Sequence, residues 1–231
     1  MPTHLITGAS SGIGAAVARA LHERGDDLVL IARNEQRAGQ LAEGFPGCTP
    51  IVADLADPDA VEQITGLPER LDSVLHVAGA VELSHVVDLE TRHLREQLDV
   101  NLVSPAVLTR LCLPAVRAAR GIVVFVNSAA GLSVGSSWAA YGASKFGLRA
   151  LADALRAEEQ ANGVRVTTVF PSRTATPMQE KVHEQEGRTY DSSRWISPET
   201  VTATILHVLD VPRDATIPEV VVRPLVPWAP R

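Results

Sequence analysis

The stretch HLITGASSGIGAAVARAL, His4 to Leu21, decides how this chain folds. HLIT is a short apolar run of strand type, and Ile13, Val17 and Leu21 then recur along one helix face before Gly25 closes the segment. Gly8, Gly12 and Gly14 lie between the two patterns. Glycines here let the backbone turn sharply and approach a pyrophosphate, whose charge then rests on free N–H groups at the helix N-terminus. The G-x-x-x-G-x-G spacing is one found in dinucleotide folds, although a plain tight turn after a strand also suits it.

Working outward, short apolar runs alternate with helical patterns: 4–7, 27–32, 48–53, 73–78, 121–127, 164–170 and 219–223. The central runs are apolar almost without alternation, as strands covered on both faces require, and the stretches between them are long enough for crossover helices. The expectation is an α/β, Rossmann-type, doubly wound parallel sheet of seven strands in the order 3-2-1-4-5-6-7, with helices on both faces. That order places Pro50 and Pro218 on or beside edge strands, where a missing N–H is tolerated. A ligand crevice is expected at the carboxyl ends of the strands, near the switch in strand order.

The chain has 231 residues, enough for one well-buried core, and no linker composition or repeat divides it, so residues 1–231 are expected to form one domain. Its net charge of −6 is spread along the whole length, and no basic stripe suits nucleic acid or anionic lipid. The N-terminus shows no charged and apolar leader, and no apolar run approaches the roughly 20 residues that span a bilayer. A soluble, cytoplasmic protein is expected. Cys48 and Cys112 fall on different elements without metal-ligand spacing, so free thiols and no structural metal are expected.

The second strand ends in Ala32-Arg33, where an NAD site carries an acid for the ribose 2′-hydroxyl. Arg33 instead suits a 2′-phosphate through a charge-assisted fork of about 1.5–3 kcal/mol. This favours NADP(H) over NAD(H) by roughly tenfold or more.

Of the 21 basic residues two are lysine, and one of them, Lys145, follows Tyr141 by four positions. Residues i and i+4 share a helix face, so the phenol and the ammonium can address one small volume. Hydride transfer to a ketone builds an alkoxide, which needs a hydrogen bond and a proton. Tyr141 can deliver that proton if a nearby cation lowers its pKa from about 10. Asn101 lies within an apolar-periodic helix, and Pro105 four residues on has no N–H for the Asn101 carbonyl, so a kink is expected there with a water as the carbonyl's partner.

Taken together, TGASSGIG at 7–14, AD at 53–54, AG at 78–79, Asn101, Ser128 and YGASK at 141–145 resemble the short-chain dehydrogenase/reductase family, of the compact kind, over essentially the whole chain. The resemblance implies a catalytic set of Asn101, Ser128, Tyr141 and Lys145. In it Ser128 donates to the substrate oxygen beside Tyr141, Lys145 also bonds the nicotinamide ribose, and Asn101 holds a water that relays protons to Lys145. It further implies a cofactor site made by Gly8, Ser10, Ser11, Gly12, Ile13, Gly14, Arg33, Asp54, Leu55, Ala78, Gly79, Tyr141, Lys145, Pro171, Thr174 and Thr176. Asp54-Leu55 would hold the adenine, Ala78 and Gly79 admit the ribose, and Thr176, with the backbone at Thr174, would bond the carboxamide.

Three positions depart from the family pattern. His76-Val77 stands where Asn-Asn is usual, Ser172 replaces the usual Gly after Pro171, and Ser11 stands where some NADP-specific members carry a second basic residue. The first puts local rigidity in doubt, the second the path of the loop, and the third leaves the phosphate to Arg33 with help from Ser10 or Ser11. The segment 177–196 is expected to be a lid, with Met178, Val182, Tyr190 and Trp195 as its apolar residues and Leu132, Val134 and Trp138 as further wall of a shallow pocket. The implied function is NADP(H)-dependent reduction of a small carbonyl compound or oxidation of the alcohol. A 3-oxoacyl-thioester reductase and a non-catalytic NADP(H) sensor or scaffold are the alternatives. A homodimer or homotetramer paired through the 91–119 and 139–162 helices is expected.

Overall fold

Seven strands pair in parallel in the order 3-2-1-4-5-6-7. In the computed structural model, which describes residues 1–225, they are β1 (Thr3–Thr7), β2 (Asp27–Ala32), β3 (Thr49–Val52), β4 (Ser73–His76), β5 (Ile122–Val126), β6 (Arg165–Pro171) and β7 (Glu219–Val222). Residues 226–231 of the expected 1–231 unit lie outside the described residues. The sequence switch that drives the order is between β1, which pairs with both β2 and β4, and the excursion to the β3 edge. Pro50 sits in β3 and Pro218 precedes β7, so both prolines fall at the sheet edges.

Helices cover both faces, and strand alternation decides which. Along β5, Ile122, Val124 and Val126 face one core, whereas Val123 and Phe125 face the other. The first core is closed by α1 (Gly12–Glu23), α2 (Glu35–Gly44) and, late in the chain, a long helix over Pro198–Asp210, through Val17, Leu21, Leu41, Val201 and Ile205. The second is closed by α3 (Pro58–Glu62), a rod made of α4 (Thr91–Leu98) and α5 (Ser104–Ala119), and α6 (Ala139–Glu159), through Val61, Leu108, Val116, Leu148 and Leu155. The segment 177–196, expected as a lid, carries α7 (Pro177–Gln185), and α8 is the Pro198–Asp210 helix.

Helix ends follow local chemistry. Asn34, Asp57, Thr176 and Ser197 each accept a backbone N–H of the first turn of α2, α3, α7 and α8, and Pro58, Pro177 and Pro198 stand inside those starts. The rod from Thr91 to Ala119 is long and apolar enough, by length and composition, to cross a membrane. Here it is a core element: Leu108, Cys112 and Val116 are fully buried against the sheet. Between α4 and α5 the rod opens into a π turn over Asp99–Val103, followed by Pro105. The kink expected at Asn101 is thus a π turn, since Pro105 removes the donor that the Asn101 carbonyl would take.

Candidate active site

At the carboxyl end of the sheet, the turn after β1 is shaped by contacts that only glycine permits. A Cβ on Gly14 would lie 2.1 Å from the Gly8 carbonyl oxygen. One on Gly8, whose φ is +77°, would lie 2.8 Å from the Ala78 nitrogen. The turn therefore packs directly on the chain leaving β4, and Thr7 Oγ1 fastens the two by accepting from the N–H groups of Val77 and Ala78 at 3.0 and 3.1 Å. The result is a bare backbone cradle at the start of α1, the form a pyrophosphate needs. The residues present fit a dinucleotide.

One cleft of about 880 Å³ runs from this cradle to the 177–196 segment. It is lined by Gly8, Ser10, Ser11, Gly12, Ile13, Gly14, Arg33, Asp54, Leu55, Ala78, Gly79, Ser128, Tyr141, Lys145, Pro171, Thr174 and Thr176. Of the sequence-selected site residues, Asn101 alone stands off the wall. It sits behind Gly79, where a Cβ would meet Asn101 Oδ1 at 3.3 Å and Lys145 Nζ at 3.8 Å. Its amide is used in full to hold neighbours: Oδ1 accepts from Ala80 N at 2.8 Å, and Nδ2 donates to the Ala80 carbonyl at 2.8 Å and to Ser144 Oγ at 3.0 Å.

The reacting end is built from the exit of β5 and the first turns of α6. Ser128 caps the short turn Ala129–Gly131, its Oγ accepting from Ala130 N at 3.1 Å, and it also hydrogen-bonds the Tyr141 phenol. Lys145 lies one turn further along α6; Nζ is 5.7 Å from the centroid of the Tyr141 ring and donates to the Val126 carbonyl at 3.1 Å. Both side chains are buried, which governs their protonation. Burial pushes the Tyr141 phenol up to about 12, with the Ser128 hydrogen bond acting in the opposite sense, and burial pushes Lys145 down to about 8. The expected lowering of the phenol by the ammonium is therefore not the dominant effect here; desolvation of the two groups outweighs it. At neutral pH the phenol keeps its proton and the lysine keeps its charge.

Arg33 is exposed, and Arg37, which the sequence reading did not select, lines the same cleft from the first turn of α2. The available signal was a second arginine four positions after Arg33, in the first turn of the following helix. One Asp54 carboxylate oxygen accepts from Ala56 N at 3.0 Å, making a strand-end turn, and the Leu55 carbonyl is held by Ser104 Oγ at 2.7 Å.

Asn127 was also missed. It lines the cleft, is buried, and joins Ser128 to Lys145: Oδ1 accepts Ser128 N at 2.8 Å, and Nδ2 donates to the Lys145 carbonyl at 2.9 Å. The signal was a lone polar side chain ending a fully buried strand. Of the expected apolar wall, Trp138, Met178, Val182 and Trp195 reach the cleft. Leu132 and Val134 are not in its wall, and Val134 instead packs over Gly142, while Tyr190 packs on His183.

The family departures have physical answers. His76 ties β4 to α5 through Nε2 and Thr109 Oγ1 at 2.8 Å, and its ring stacks on Phe125 with centroids 4.9 Å apart. Ser172 avoids left-handed torsions; among the described residues the non-glycine residues at positive φ are Arg120 and Ser137. Among the described residues no cluster of three or more His, Cys, Asp or Glu could hold a metal ion.

Comparison with known proteins agrees with this geometry. A family model for short chain dehydrogenase matches residues 2–187. An uncharacterized short-chain type dehydrogenase/reductase of Sinorhizobium fredii is 32% identical, covering 90% of this chain and 85% of its own. A short chain dehydrogenase from Escherichia coli CFT073, solved in complex with NADPH, superposes with a TM-score of 0.85 at 27% identity, covering 96% of this chain and 97% of its own. An alcohol dehydrogenase from the archaeon Thermococcus sibiricus, solved with 5-hydroxy-NADP, shares the fold with a TM-score of 0.83 at 22% identity over 100% of both chains. The glycine cradle, the strand order and the Ser128–Tyr141–Lys145 grouping thus have one common explanation: the chain belongs to the short-chain dehydrogenase family.

Proposed function

We propose that the protein is an NADP(H)-dependent oxidoreductase that reduces a ketone or oxidises the matching secondary alcohol, with Tyr141 as general acid and base. The observation that carries this reading is that Ser128, Tyr141 and Lys145 line the same cleft as the glycine cradle. A bound nicotinamide dinucleotide supplies the hydride. The chain's own residues do the rest: Tyr141 delivers a proton to the developing alkoxide, Ser128 donates to the same oxygen, and the Lys145 ammonium stabilises the phenolate left behind.

Asn101 positions the chain around Lys145, its carbonyl in the π turn serving as the holder of a relaying water. The cradle, with Ser10, Ser11 and Ile13, takes the pyrophosphate, and Asp54 with Leu55 borders the adenine. Ala78 and Gly79 border the ribose, and Pro171, Thr174 and Thr176 border the nicotinamide. Arg33 and Arg37 favour the 2′-phosphate of NADP(H). An NADPH-oxidation screen over free ketones and acyl thioesters tests the reading and separates it from a thioester reductase. Tight NADPH binding without turnover across the panel would replace it with the sensor reading.

We also infer a homodimer or homotetramer, supported by the exposed apolar side chains of Phe146 on α6 and Val103 beside α5. A monomeric mass by light scattering would reject it.

A further inference from the structure

Beyond Tyr141 the cleft is walled by Val81, Trp138, Met178, Val182, Trp195 and Arg173. Arg173 is the charged member of this group, and it is held from several directions. Its terminal amino groups donate to both carboxylate oxygens of Glu186, at 2.9 and 2.5 Å. Its guanidinium carbon lies 5.9 Å from the Trp138 ring centroid and 5.6 Å from that of Trp195, within reach of attraction to an aromatic face. The two side chains of the ion pair are 22% and 15% exposed, so the pair is largely withdrawn from solvent. The lid's lysine is balanced in the same way: Lys181 Nζ is 2.8 Å from a Glu82 carboxylate oxygen and donates to the Val81 carbonyl at 3.1 Å. Arg173 and Lys181 are thus each matched by a carboxylate from the protein itself, and Arg188 lies 4.0 Å from the same Glu186 carboxylate.

We propose, resting on the oxidoreductase reading above, that this half of the cleft selects an uncharged ketone or secondary alcohol with an apolar body over the matching keto or hydroxy acid. Glu186 sets the selection by occupying the fork of Arg173 that a substrate carboxylate would take. An entering carboxylate must either displace Glu186 from Arg173, leaving that largely buried anion to Arg188 at 4.0 Å alone, or lie beside it as a second negative charge. A neutral compound meets neither cost and contacts the indoles, Met178 and Val182 directly. Selection by an unfavourable alternative is a general route to specificity.

The test uses methyl benzoylformate and benzoylformate, the same ketone without and with a carboxylate. Binding is followed by quenching of tryptophan fluorescence, since Trp138 and Trp195 line the site, and turnover by NADPH oxidation. The ester is expected to bind the wild-type protein about tenfold more tightly than the acid or better. Glu186→Gln is expected to reduce that preference about tenfold, through tighter binding of the acid. Equal or tighter binding of the acid by the wild-type protein overturns the proposal, as does failure of the ester to bind, or an unchanged preference in a folded Glu186→Gln protein. If that variant does not fold, the wild-type preference decides. Ester binding with no NADPH oxidation leaves the selection standing, and the ketone and thioester panel then decides the oxidoreductase reading separately.

Discussion

Asn127 holds Lys145 by its backbone: the side-chain amide donates to the Lys145 carbonyl at 2.9 Å, while Oδ1 of the same amide accepts the Ser128 N–H at 2.8 Å. The exit of β5 and the helix α6 are thereby fixed to one planar group. Gly131 completes the fit, since a Cβ there would lie 2.3 Å from Asn127 Oδ1.

Asn127→Asp keeps the acceptor for Ser128 and turns the donor toward Lys145 into a second acceptor. A loss of about 1–3 kcal/mol of stability is expected, together with a fall in kcat larger than any rise in KM. Denaturant midpoints and steady-state kinetics on the same variant check this. A variant with lowered stability and unchanged kcat would assign Asn127 to packing alone.

Tyr141→Phe removes the phenol proposed as proton donor while leaving the cradle intact. Turnover should fall by about 10²–10⁴-fold, with NADPH affinity by fluorescence titration nearly unchanged. The pH dependence follows from burial. Because desolvation brings Lys145 down to about 8, its charge is lost as pH rises through that value, and reductive kcat/KM should decline there. A reductive profile flat from pH 7 to pH 10 would contradict the role given to this ammonium.

Arg33 and Arg37 line the same cleft. Arg33→Ala should weaken NADPH binding about tenfold or more with little effect on NADH, and Arg37→Ala should add to that loss. Titration of both coenzymes by nicotinamide fluorescence reads the ratio directly. Equal effects on NADPH and NADH would remove the 2′-phosphate from the account.

His76 is buried, and desolvation lowers its pKa to about 3. Its unfolded value near 6.5 is higher, so between these two values the unfolded chain binds the proton and the folded protein does not. Stability is therefore present above pH 6.5 and is lost as pH falls toward 3, by roughly 3–5 kcal/mol when the titration is complete. In His76→Asn the acid-side slope of unfolding free energy should flatten. Urea unfolding at pH 7 and pH 4 measures it, and equal slopes in the two proteins would show that other groups govern acid unfolding.

Much of this protein is legible along the chain because the signals are local. The seven apolar runs became β1 to β7 within two residues at each end, since a strand buried on both faces must be apolar throughout. Gly8 and Gly14 announced a backbone approach that no other residue type allows. The Pro105 effect on Asn101 could be read from covalent structure alone, and it appears as the π turn.

What the order of residues determined, then, was the set of elements, their sequence around the sheet and the residue types brought to one end of it, because periodicity, glycine and proline act within a few positions. The tertiary structure decided the rest. Asn127 acquired the Lys145 carbonyl of α6, Arg173 the Glu186 carboxylate and the indoles of Trp138 and Trp195, and His76 the Thr109 hydroxyl of α5. The protonation of Tyr141 and Lys145 was likewise settled by burial rather than by their four-residue spacing. Desolvation and long-range pairing depend on which atoms surround a group, and no local pattern records that.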